Sequence, residues 1–222
     1  MLVCIYTCEK HRDLLTQFHE SILGEYLRGL AGARILEVYA NPDIPHSAHE
    51  NYELVLKTPE RYGALSLKTH KMIDYCVRHF DFQHLLKIDV ATVRTDLSEP
   101  EFAGRKPVDL DKLVQFLKSA SFNTDYDGFT FFENVPRQNS ENWAMKKGKS
   151  IEWQKVFGDR TQLPPFYRGL CYIMSKRFAR YISQNGREMA EEHEKYFLGS
   201  EDVMIGRLHG EFLAGLGTDF QG

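Results

Sequence analysis

Asp202 is the first residue in this chain with the makings of a reagent. It is the second acid of the pair Glu201-Asp202, which opens an apolar helical run through Val203, Met204 and Ile205. A carboxylate held at a fixed point can take a proton from a hydroxyl and so act as a general base. The placement also has a structural reading, because the helix macrodipole favours an acid in any first turn. That dipole lowers a carboxylate pKa, and burial beside Glu201 would oppose it. A second carboxylate, Asp89, closes the run His84-Leu85-Leu86-Lys87-Ile88. At a strand end it suits either a divalent ion set against phosphate oxygens or the hydrogen bonds of a turn. Lys68, Arg137, Lys146, Lys147, Arg168 and Arg207 supply cations that can stabilise an anionic leaving group, or else a solvated surface.

Composition narrows the classes. With 222 residues, 42% hydrophobic and 13% aromatic, the chain can bury one substantial core, so a single domain spanning 1–222 is expected. A net charge of -3 gives no global footprint for nucleic acid, so none is expected as a partner. The opening run Leu2-Val3-Cys4-Ile5-Tyr6 is too short to span a membrane, and Glu9, Lys10, Arg12 and Asp13 follow it. Cys4, Cys8, Cys76 and Cys171 form no C-x-x-C pair, which points to buried free thiols. His46, His49 and Glu50 imitate a metal spacing, but Pro42, Pro45 and Ser47 place them in a loop.

These residues need a frame. The first apolar run reads as a strand, followed by Leu14, Phe18, Ile22, Tyr26 and Leu30 at four-residue spacing, which predicts one core-facing helix. A strand over 35–39, a polar loop and a helix carrying Leu65, Met72, Ile73, Cys76 and Phe80 come next. Strands are predicted again over 84–89 and 126–132, around a helix beginning near Asp109. The polar stretch from Asn134 to Lys149 reads as a working loop or cover. Strands alternating with helices predict an α/β fold with a mainly parallel sheet and helices on both faces, with ligands beyond the strands' carboxyl ends. Neither a Walker-type loop nor a dinucleotide glycine fingerprint occurs.

Four ordered segments then carry a family likeness. They are Glu50 to Thr69 with Leu65-Ser66-Leu67-Lys68-Thr69; His84 to Thr92; Val135-Pro136-Arg137 and Trp143 with Leu163 to Ser175; and Glu201-Asp202-Val203-Met204-Ile205-Gly206. Together they resemble the inverting β-1,3-glycosyltransferases, which include galactosyl-, N-acetylglucosaminyl- and Fringe-type enzymes. The resemblance implies a GT-A-type nucleotide-sugar fold, a UDP-sugar donor and transfer with inversion to a glycan or glycoconjugate hydroxyl. By motif position it makes Asp202 the base, Asp89, Lys68 and Arg137 donor-side groups, and Trp143, Glu201 and Gly169 substrate contacts. It also implies Mn2+ or Mg2+ on Asp89, although Ala91 stands where the family has its last aspartate and Val90 fills the middle. His209 lies too early to match the family's histidine. Leu170 and Cys171 replace small glycines of the family. With no anchor before its first strand, the chain reads as a soluble, cytoplasmic protein or a trimmed domain.

Two other classes compete. A non-catalytic carbohydrate- or nucleotide-binding module would keep the fold without the metal, which Ala91 favours. A nucleotidyltransferase would need paired carboxylates that the sequence does not display.

Overall fold

A computed structural model describes residues 1–98, 106–120, 122–146 and 149–219; Lys147 lies outside them. Seven strands form the central sheet: β1 (Leu2–Tyr6), β2 (Arg34–Ala40), β3 (Ala48–Glu50), β4 (Glu53–Leu56), β5 (His84–Asp89), β6 (Tyr126–Gly128) and β9 (Cys171–Ser175). Their order is β3-β4-β2-β1-β5-β9-β6. The block β4-β2-β1-β5 is parallel, while β3, β9 and β6 join antiparallel. The fold is therefore α/β with a mostly parallel centre. A separate ribbon pairs β7 (Phe131–Phe132) with β8 (Phe166–Tyr167).

Alternation along β1 divides the core. Leu2, Cys4 and Tyr6 face a layer built by α3 (Leu65–His79), α7 (Lys176–Tyr196) and α8 (Glu201–Asp219). Val3 and Ile5 face the opposite layer of α1 (Arg12–Glu20), α2 (Ile22–Arg28) and α4 (Leu110–Ser119). A third cluster, centred on Trp153, Phe157, Phe197 and Val203, joins α6 (Trp153–Phe157) to the start of α8. All four cysteines are buried free thiols. No helix among the described residues is long and apolar enough to cross a membrane.

The frame departs from the sequence pattern in four places. The single helix predicted through Leu14 and Leu30 breaks at Ser21, whose extended backbone ends α1. There the Ser21 hydroxyl donates to the Phe18 carbonyl at 2.7 Å and caps α2 by accepting from the Gly24 N–H at 3.2 Å. The polar loop after β2 contains two short strands, β3 and β4, and His49 packs its ring against Tyr75 and Phe80. The strand expected over 126–132 changes sheets after Gly128. A Cβ there would lie 2.5 Å from that of Tyr167, so the chain turns away to pair β7 with β8. Finally, the expected cover from Asn134 contains a helix, α5 (Arg137–Lys146). Its side chains pair along the turn, Arg137 with Glu141 and Gln138 with Asn142, so its polarity reflects an exposed helix face.

Candidate functional site

Between β1 and β5 the chain reverses its direction of travel across the sheet: β2 and β4 lie to one side, and β5 to the other. Ligands of open α/β sheets collect at this switch point. Tyr6 and Asp89 face each other in register there, at the carboxyl ends of the two strands. The segment before β9 crosses the same edge, because Asp89 N–H donates to the Leu170 carbonyl at 2.8 Å. The first turn of α8 then brings Glu201 and Asp202 onto Gly169.

Lys87 ties these pieces together. It is completely buried on β5; its Nζ donates to the Gly169 carbonyl and to Glu201 Oε1, the latter at 3.0 Å. The Tyr6 ring centre lies 4.6 Å from Lys87 Nζ and 4.8 Å from Lys68 Nζ, so one aromatic ring serves two ammonium groups. Burial pulls the Lys87 pKa down, but Glu201 and Asp89 outweigh it and leave it raised. The sequence reading missed Lys87 as a site residue. Its signal was a charge set between Leu86 and Ile88, in the apolar run of a strand.

Asp202 is half-buried; its Oδ2 accepts from the Gly169 N–H at 3.3 Å and its Oδ1 from its neighbour Val203 N–H at 2.9 Å. Burial first, and the charge of Glu201 second, push its pKa up to about 7, against the opposing pull of the two N–H groups and Lys87. A carboxyl group poised near neutrality has more proton affinity than an ordinary aspartate and is still ionised in a large fraction of molecules. Gly169 is required for this packing: a Cβ would sit 2.3 Å from Glu201 Oε1.

The remaining expected residues are placed as follows. Asp89 Oδ1 accepts from Ala91 N–H at 2.8 Å and caps a 3-10 turn over Val90–Val93. Lys68 is buried rather than free for a diphosphate: its Nζ donates to the Thr7 carbonyl at 2.6 Å and to Glu60 at 2.9 Å. Burial lowers its pKa, and Glu60 opposes that shift. Glu60, also missed, accepts from Ala40 N–H at 2.8 Å and so pins the end of β2 to the same lysine. Arg137 bonds Glu141 at 2.6 Å and lies 5.8 Å from the Trp153 ring centre. It lines a surface cleft of about 550 Å³ with Asp159 and Arg160, a cleft that includes neither Asp202 nor Lys87. Arg207 donates to the Val156 carbonyl at 2.7 Å, and Lys146 is exposed.

Trp143 sits 6.3 Å from Tyr62, ring centre to ring centre. The Tyr62 turn packs against Gly199, two residues before Glu201, where φ is 68° and a Cβ would lie 2.1 Å from the Gly63 carbonyl oxygen. The aromatic pair is thus connected to the strand-end site through the entry to α8.

Among the described residues, no three His, Cys, Asp or Glu side chains converge as a metal set. Asp89 stands as one carboxylate with one oxygen already engaged and two ammonium groups in its field. That is a poor seat for a hard divalent ion, which takes several oxygen ligands. Compared with known proteins, the chain matches no protein-family model and none of the curated proteins.

Proposed function

We propose that the chain is an inverting glycosyltransferase of GT-A type, moving a sugar from a nucleotide diphosphate donor, UDP in the first instance, to a hydroxyl of a glycan or glycoconjugate. The observation that carries this reading is Asp202: a half-buried carboxylate raised to about 7, held by two N–H groups at the switch-point edge. In the proposed step Asp202 takes the acceptor proton as the acceptor oxygen bonds to the anomeric carbon. The bond to the diphosphate breaks on the opposite face, and its electron pair leaves with the diphosphate. Tyr62 and Trp143 offer the aromatic surface against which a sugar ring packs.

A second reading has its own observation. Lys68 and Lys87, the two buried lysines near the strand ends, are both committed to carboxylates, Glu60 and Glu201, which suits a binding module that holds a nucleotide or sugar without turning it over. Calorimetric titration with UDP, with manganese and with EDTA, followed by assay of UDP-sugar consumption, separates the two. Binding in EDTA together with slow donor hydrolysis or transfer that Asp202→Asn abolishes supports the transferase. Binding with no turnover under any acceptor supports the module, and no binding of any nucleotide or UDP-sugar defeats both.

A further inference from the structure

β5 carries Lys87 two residues before Asp89, so both side chains leave the sheet on the face that holds Tyr6 and Tyr172. The Lys87 ammonium has no access to solvent. Two of its partners are the Gly169 carbonyl and Glu201, and the Tyr6 and Tyr172 rings close the rest at 4.6 and 5.5 Å. It therefore touches no substrate. We infer that Lys87 is the positioning residue of this site: its ammonium clamps the Gly169 carbonyl to the Glu201 carboxylate and so fixes the glycine whose N–H holds Asp202.

A glycine in a turn is free to rotate its two flanking peptides, and Gly169, in the turn before β9, has one anchor on each side: Asp202 on its N–H and Lys87 on its carbonyl. Glu201 Oε1 fills the space where a Cβ would stand, and Lys87 holds that same oxygen while it binds the glycine's carbonyl. Without Lys87, a buried carbonyl and a buried carboxylate both lose their partner, and neither has a reason to stay. Because Glu201 and Asp202 are consecutive on α8, any relaxation of Glu201 also moves the base. The charged and titratable groups around Asp202 are Glu201 on its own helix, Lys87 on β5, Tyr126 on β6 and Tyr172 on β9; Lys87 brings the positive charge.

The clamp stands on contacts alone and rests on the transferase reading only for its consequence in turnover, so the test reads both. In 15N-labelled protein the Gly169 amide shift is expected to follow the ionisation of Asp202. Lys87→Arg should retain that response and Lys87→Met should lose it, while amides in the middle of β1 and β2 stay unchanged. Should Lys87→Met fail to fold, the double variant Lys87→Met/Glu201→Gln, which leaves no buried charge unpaired, is expected to fold and to lose the response too. An undiminished Gly169 response in either folded variant overturns the clamp. With a turnover assay, Lys87→Met should lower kcat about 10- to 100-fold with little change in donor KM, and Lys87→Arg should recover part of it. An unchanged kcat also overturns the proposal. A protein without turnover whose Gly169 response is lost in Lys87→Met keeps the clamp and loses the transferase.

Discussion

At Asp202 the fold works against the helix dipole: the two N–H bonds and Lys87 favour the ionised form, and burial with Glu201 overrides them to bring the group to about 7. If this carboxylate removes the acceptor proton, turnover must rise with pH on an acid limb centred near 7 and then level off. Asp202→Asn should remove that limb and lower kcat by about 10²- to 10⁴-fold, with UDP affinity little changed; calorimetry and initial rates over pH check this. Gly169→Ala tests the packing beneath it. The added Cβ, 2.3 Å from Glu201 Oε1, must push the carboxylate off Lys87, because that oxygen is pinned rather than free. The expected cost is about 3 kcal/mol in urea unfolding, the order of breaking a buried pair. Asp202 was legible in the sequence because an acidic pair before an apolar run announces a helix start. Lys87 was not, because its buried pair with Glu201 joins residues 114 positions apart; Glu60 was not, because its pair with Lys68, eight positions away, spans a turn that no local pattern records. Lys68 was legible as a cation but misplaced as a free one, for the same reason.

Helix and strand periodicity gave the large elements well: β1, β2, β5, α3 and the α4 cap at Asp109 all lie where the apolar spacing puts them. It failed where a local hydrogen bond or a close backbone approach overrides spacing. Leu14 to Leu30 keeps its four-residue rhythm across Ser21, so only the Ser21-to-Gly24 cap betrays the break. At Gly24 a Cβ would meet the Phe18 carbonyl oxygen at 2.2 Å, a backbone atom that cannot swing aside. Gly24→Ala should therefore destabilise the protein by about 2 kcal/mol despite alanine's better helix propensity, whereas Ser21→Ala should cost about 1 kcal/mol. Urea midpoints for the two variants decide the matter; a stabilised Gly24→Ala protein would mean that α1 and α2 run on as one helix. Strands of two to four residues, such as β3, β4 and β7, are too short to show a period, and α5 buries only Ser140 and Ala144, so its helix left no apolar stripe to read.

Among the described residues, His193 and Asp202 pull stability in opposite directions with pH, and His70 and His209, whose pKa values burial also lowers, add to the His193 side. His193 is fully buried on α7 against Phe157 and Phe197, and burial lowers its pKa to about 3. Unfolded, it takes up a proton below about 6.5; folded it does not, so between about 3 and 6.5 its contribution to stability rises with pH. Asp202 does the reverse. Its folded value of about 7 lies above the ordinary aspartate range, so the folded state holds a proton that the unfolded chain has already lost. Its contribution therefore falls as pH rises from about 4 to 7, and the loss is complete above that. Each slope is at most about 1.4 kcal/mol per pH unit, and over the shared window from about 4 to 6.5 they oppose each other. In the intact protein Asp202 therefore offsets much of the histidine-driven rise of the urea midpoint across that window. Relative to the intact protein, the His193→Leu midpoint should tilt downward with rising pH and the Asp202→Asn midpoint should tilt upward. The same Asp202→Asn protein should be more stable than the intact chain at pH 8 and, if Asp202 is the base, should transfer about 10²- to 10⁴-fold more slowly, since the charge proposed as base is the one that is costly to bury. Profiles in both variants that run parallel to that of the intact protein would mean that neither group is held away from its ordinary pKa, and the case for Asp202 as a tuned base would fall with it.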